Sequence, residues 1–114
     1  MRARILSAAA VTATAVSIAV VAAGGSQAAG TTTVAVKDFA FSPKTVTVRR
    51  GSTVTFIWKG KAQHDVTVIS GPTRFHSPTM ASGRWSTKRL TRKGTYRIEC
   101  SIHSMVMRMT LKVR

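Results

Sequence analysis

Near the end of the chain, the stretch Cys100-Ser101-Ile102-His103-Ser104-Met105-Val106-Met107 places a thiol, an imidazole and a thioether close together. Soft sulfur donors combined with imidazole suit copper, and two His and one Cys in a plane with a long axial Met make the geometry of blue-copper electron-transfer sites. Such a set needs a second imidazole. His64 stands 100 − 64 = 36 residues upstream of Cys100, at the start of an alternating Val66/Val68 segment. Met105 offers a second thioether in the same loop. Zinc fits less well, because structural zinc sites favour more thiolates and do not use Met. A cysteine nucleophile with His103 as its base would lack an Asn or Asp placed to orient the imidazole. Taken singly, each residue has a plainer role. A lone Cys is usually a buried thiol, a lone His a surface or satisfied side chain, and Met105, Met107 and Met109 alternate as core residues would. Their meeting in one loop is what points to a metal.

Cys100 is the only cysteine among 114 residues, so no internal disulfide can form. That matters because the N-terminus reads as an export signal. Arg2 and Arg4 make a positive start, residues 5–23 are apolar and uncharged, and Ser26-Gln27-Ala28 fits a small-x-small cleavage pattern. Residues 1–28 are therefore expected to be a signal peptide and residues 29–114 a single domain of 114 − 28 = 86 residues. A retained membrane anchor is the competing expectation. The run is nearly long enough to span, but Ser7, Thr12, Thr14 and Ser17 dilute its apolar character. Once the signal is cleaved, no transmembrane segment is expected.

The chain carries 18 Lys+Arg against 3 Asp+Glu, a net charge of +15. Without Arg2 and Arg4 the domain holds 16 − 3 = +13, and its acids are Asp38, Asp65 and Glu99 alone. An exported protein rarely meets nucleic acid, so nucleic acid is not the expected partner. An acidic redox partner protein or an anionic cell-envelope surface suits the charge, which otherwise serves solubility. The Ala, Arg and Thr bias and the signal together suggest a bacterium, with the protein in the periplasm, outside the cell or on its envelope. A monomer is expected.

The elements that must position these residues alternate with a period of two, not 3.6. Val34 and Val36, Val46 and Val48, and Val54, Phe56 and Trp58 lead three runs. Val66 and Val68, then Tyr96, Ile98 and Cys100, then Met107, Met109, Leu111 and Val113 lead three more. A weaker strand spans 84–90 around Trp85. Turn residues separate the runs at Ser42-Pro43-Lys44, Arg50-Gly51-Ser52, Lys59-Gly60-Lys61, Ser70-Gly71-Pro72 and Lys93-Gly94. About seven short strands at this spacing predict an all-β, antiparallel β-sandwich. No helical stripe stands out, and residues 72–83 are the longest irregular stretch. A sandwich gathers strand ends at one pole, where a remote His64 can meet the loop after Cys100.

Phe41-Ser-Pro-Lys-Thr-Val-Thr-Val, Gly51-Ser-Thr-Val-Thr-Phe-Ile-Trp58, His64-Asp-Val and Gly94-Thr-Tyr-Arg-Ile-Glu-Cys100-Ser-Ile-His103 together resemble the cupredoxin family, its plastocyanin and amicyanin group in particular. The resemblance covers most of residues 32–114. It implies a Greek-key sandwich binding one copper ion, cycling between Cu(I) and Cu(II), through His64, Cys100, His103 and an axial Met. Met107 is preferred for the axial place over Met105, on loop length and on its phase with Met109, Leu111 and Val113. His76 lies outside the motif. The implied role is one-electron transfer without enzymatic turnover, the electron leaving by the edge of His103; a copper carrier or resistance protein is the alternative. Three departures stand out. Asp65 replaces the Asn that tethers the ligand loop in relatives and adds charge near the metal, Ser104 replaces a Pro, and Glu99 replaces the plastocyanin Tyr. Met105, Val106, Met109 and Phe41 are expected to shield the centre from water.

Overall fold

The computed structural model of the protein describes residues 29–114. The predicted signal peptide, residues 1–28, lies outside the described residues. Eight strands follow one another: β1 (Thr31–Lys37), β2 (Ala40–Ser42), β3 (Thr45–Val48), β4 (Thr53–Trp58), β5 (Thr67–Ser70), β6 (Gly83–Ser86), β7 (Gly94–Glu99) and β8 (Arg108–Val113). They form two four-stranded sheets, ordered β2-β1-β4-β6 and β3-β8-β7-β5. The two sheets face each other as a β-sandwich. Among the described residues no helix is long and apolar enough to cross a membrane.

Period-two patterning sends one face of each strand inward. Val34 and Val36, Val46 and Val48, Val54, Phe56 and Trp58, Val66 and Val68, Tyr96 and Ile98, and Met109, Leu111 and Val113 all sit in the buried core. Each fully buried side chain of this kind contributes roughly 1.5–3 kcal/mol of apolar transfer energy. The strand predicted around Trp85 shortens to β6, its distal end reduced to a single bridge between Ser52 and Leu90. An eighth strand, β2, is only three residues long and pairs with β1 through Val36 and Phe41.

Most neighbouring strands run antiparallel, but β1 pairs with β4 in parallel, and β3 pairs with β8 in parallel. Alternation of apolar residues is the same in either direction, so only the three-dimensional pairing distinguishes them. Tyr96 is fully buried, and its hydroxyl donates to the Arg92 carbonyl at 2.7 Å. That hydrogen bond to the backbone just upstream pins the corner leading into β7, a device common to Greek-key sandwiches. With this corner fixed, β7 delivers Cys100 to the end of the molecule where the β1–β2, β4–β5 and β7–β8 connections meet.

Candidate metal centre

Cys100 follows β7, and its side chain is fully buried. The chain then makes one 3₁₀ turn, Ser101–His103, and returns to β8. Four backbone hydrogen bonds close this loop on itself: His103 N–H to the Cys100 carbonyl at 3.1 Å, Val106 N–H and Met107 N–H to the His103 carbonyl at 3.1 and 3.0 Å, and Cys100 N–H to the Met107 carbonyl at 3.0 Å. The loop therefore keeps its ligands in register largely by its own main chain.

His64 comes from the β4–β5 connection and is fully buried. Its backbone exchanges two hydrogen bonds with Met80, at 2.9 and 3.0 Å, and its carbonyl also accepts the Trp58 indole N–H at 3.0 Å. Its ring faces two ways. Nδ1 lies 3.9 Å from Cys100 Sγ, and Nε2 lies 2.9 Å from a carboxylate oxygen of Asp38.

The imidazole of His103 approaches the same sulfur, with Nδ1 3.6 Å from Cys100 Sγ. The donor atoms of His64, Cys100 and His103 all lie within 4.8 Å of one another. First-row metal bonds of about 2.3 Å to sulfur and 2.0 Å to nitrogen, set at trigonal angles, separate the two donors by about 3.7 Å. The observed 3.6 and 3.9 Å fall on either side of that value. One thiol sulfur and two imidazoles thus meet at separations that suit a shared metal ion, and the donor set is that of a soft to borderline ion such as copper.

The two thioethers of the loop separate cleanly. Met107 is fully buried, with Met109, Leu111 and Val113 continuing on the same inward face, whereas Met105 is 85% exposed. Val106 is 65% exposed as well. Neither Met105 nor Val106 shields the centre as expected from their apolar character, because the turn after His103 carries both into solvent. Phe41 and Met109 are buried as expected. The outer cover is instead Phe39, which sequence patterning did not single out. Its ring meets His103 edge-on at 4.9 Å and His64 at 6.0 Å, from a backbone with φ of 67°. A bulky residue rarely adopts that left-handed conformation. His76, outside the motif, lies elsewhere and bridges to Thr67.

Asp65 does what the Asn of relatives was expected to do. One carboxylate oxygen accepts from Ser101 N–H at 2.8 Å and from the Thr67 hydroxyl at 3.0 Å, and the other binds the Ser101 hydroxyl. The Asp65 N–H points at Cys100 Sγ at 3.4 Å. A single residue thereby ties the His64 segment to the Cys100 loop. Asp38, reached through the β1–β2 connection, is the second carboxylate of the site. The Lys61 N–H first, then the His64 ring and the Ala62 N–H, hold its carboxyl down from 3.8 to about 2. An alternating-strand pattern carries no signal for it, since an acid in a turn reads as a solvated surface residue.

Comparison with known proteins agrees with this geometry. The model of the cupredoxin-like domain matches residues 6–113. The chain belongs to the cupredoxin family, and His64, Cys100 and His103 form its type 1 copper site. No curated protein matches it in sequence. A copper-containing nitrite reductase from Thermus scotoductus SA-01 is similar in structure at 28% identity and a TM-score of 0.63, over 73% of this chain but only 22% of that one. A point mutant of amicyanin in its Cu(I) form is similar at 27% identity and a TM-score of 0.65, over 77% of this chain and 86% of that one. A purple cupredoxin from Nitrosopumilus maritimus shares the fold at 19% identity and a TM-score of 0.65, over 73% of this chain and 99% of that one.

Proposed function

We propose that the protein is an exported one-electron carrier, with Met107 as the axial fourth ligand of its copper. The observation that carries this reading is the closed donor set. His64 and Cys100 are fully buried, His103 is partly exposed, and Met107 fills the core beside them. Four protein donors would leave no position for a substrate, which separates this centre from hydrolytic metal sites with an open coordination place. Bound copper supplies a one-electron couple between its cuprous and cupric states. The chain's own part is to keep the ligands still, so that little has to rearrange when the charge changes. The four backbone hydrogen bonds within the Cys100–Met107 loop and the Asp65 tether serve that purpose.

His103 is the ligand nearest solvent, and the exposed Phe39, Ile102, Met105 and Val106 accompany it. We assign this apolar rim to the face through which the electron leaves. The +13 charge of the domain then selects an acidic redox partner or an anionic envelope surface in the periplasm or outside the cell, met by a monomer. Protein-film voltammetry and electron self-exchange test the carrier role. The expected result is a reversible one-electron wave, fast self-exchange, and a rate with an acidic partner that falls as salt rises. Sluggish redox with ready transfer of copper to an acceptor would instead assign the protein to copper carriage.

A further inference from the structure

We propose that Asp38 is the positioning residue of the metal centre, turning His64 Nδ1 toward the copper by holding the proton of the opposite ring nitrogen, and that Gly60 exists to let it reach. The proposal rests on the copper site and adds to it a part that lies outside the ligand motif.

Hydrogen-bond chemistry fixes the direction of the Asp38–His64 contact. The Asp38 oxygen that meets His64 Nε2 at 2.9 Å also accepts the Ala62 N–H at 2.9 Å, and the Lys61 N–H is shared between both oxygens at 3.1 and 3.0 Å. An ionised carboxylate is an acceptor only, so the proton of this hydrogen bond belongs to Nε2. In the neutral ring Nδ1 then carries the lone pair, and Nδ1 is the atom facing Cys100 Sγ. A carboxylate on the far nitrogen of a metal-bound imidazole fixes its tautomer and orientation and raises its basicity as a ligand. The other anchors of His64, Met80 and the Trp58 indole, hold only its main chain. They do not set which ring nitrogen faces the sulfur, whereas the Asp38 contact at Nε2 does.

Gly60 is the independent observation. Its φ is not among the positive values found at Gly51, Gly71, Gly83 and Gly94, so backbone freedom does not account for a glycine there. Space does. A Cβ on Gly60 would come within 2.8 Å of the Asp38 main-chain nitrogen and would run into the Asp38 carboxylate itself. The Lys59-Gly60-Lys61 turn thus receives the β1–β2 connection at a separation only glycine permits. The same turn supplies, through Lys61 and Ala62, the N–H groups that aim the carboxylate.

Two variants test this without altering a ligand. Asp38→Ala removes the acceptor, while Gly60→Ala displaces it and leaves the charge of the chain unchanged. In the metal-free protein, ¹⁵N NMR of the wild type is expected to show His64 as the Nε2–H tautomer with slowed exchange of that proton. Both variants are expected to show mixed tautomers and fast exchange. In the copper-loaded protein, both are expected to lose about tenfold in Cu(II) affinity relative to Cu(I), which raises the reduction potential by about 59 mV. Asp38→Asn, which can keep the acceptor but not the charge, is expected to hold the tautomer and still raise the potential. An unchanged tautomer and an unchanged potential in both Asp38→Ala and Gly60→Ala would overturn the proposal. A wild-type protein without a thiolate-to-copper absorption band would contradict the copper site instead, and the metal-free tautomer measurement separates the two failures.

Discussion

The two halves of the ligand set are held in opposite ways. Cys100, His103 and Met107 share one short loop, and three of its four internal hydrogen bonds join the ligand residues to one another. His64 stands alone on the β4–β5 connection and is held from outside, by Met80 and Trp58 on its backbone and by Asp38, 26 residues upstream, on its ring. One half is a local motif. The other is an assembly of distant pieces that exists only after the sheets have formed. Solvent divides the two histidines, since His64 is fully buried, as Cys100 and Met107 are, while His103 is partly exposed beneath Phe39. The difference points to a division of labour: a fixed inner histidine, and a loop that brings one histidine to the surroundings.

The largest effect of a single substitution is expected inside the loop. Met107→Ala removes a fully buried side chain and is expected to destabilise the metal-free protein by about 2–5 kcal/mol. Met105→Ala, at a side chain 85% exposed, is expected to change stability by less than about 0.5 kcal/mol. Denaturant unfolding reads both. In the copper-loaded protein Met107→Ala is also expected to shift the reduction potential more than Met105→Ala, and the reverse order would move the axial assignment to Met105.

A smaller effect is expected where the two halves join. Asp65→Ala strips the acceptor from Ser101 N–H and from the Thr67 hydroxyl. Leaving such groups without a partner costs about 1–3 kcal/mol. If the halves are held independently apart from this tether, the loss should appear both as lower stability and as a broader distribution of copper environments in the spectrum. A variant that unfolds at the same denaturant concentration as the wild type, with an unchanged spectrum, would show that Asp65 is not the link.

How much of this was legible in the sequence follows the same division. The ligands Cys100 and His103 and the buried strands on either side could be read directly, because a loop closed by its own backbone leaves its spacing in the sequence. His64 could be named from the chemistry the loop lacked, and the sandwich explained how it could arrive. The strand β2 was too short to leave an alternating pattern, and the parallel pairings of β1 with β4 and β3 with β8 leave none that differs from antiparallel ones. The shielding role expected of Met105 and Val106 failed because apolar character does not say which way a tight turn faces. Asp38, Gly60 and Phe39 left no trace for a related reason. Their importance lies in contacts across connections far apart in the chain, and a solvated acid, an ordinary turn glycine and an apolar residue beside a strand are their natural readings in isolation.

The claim on which the rest depends is that His64, Cys100 and His103 close around one copper ion. Titrating the metal-free protein with cupric ion while recording the visible spectrum, alongside Cys100→Ala, tests it most directly. The expected result is an intense sulfur-to-copper charge-transfer band that saturates at one equivalent and is absent from Cys100→Ala. A wild-type protein with no such band, or a band that survives the loss of Cys100, would contradict the account.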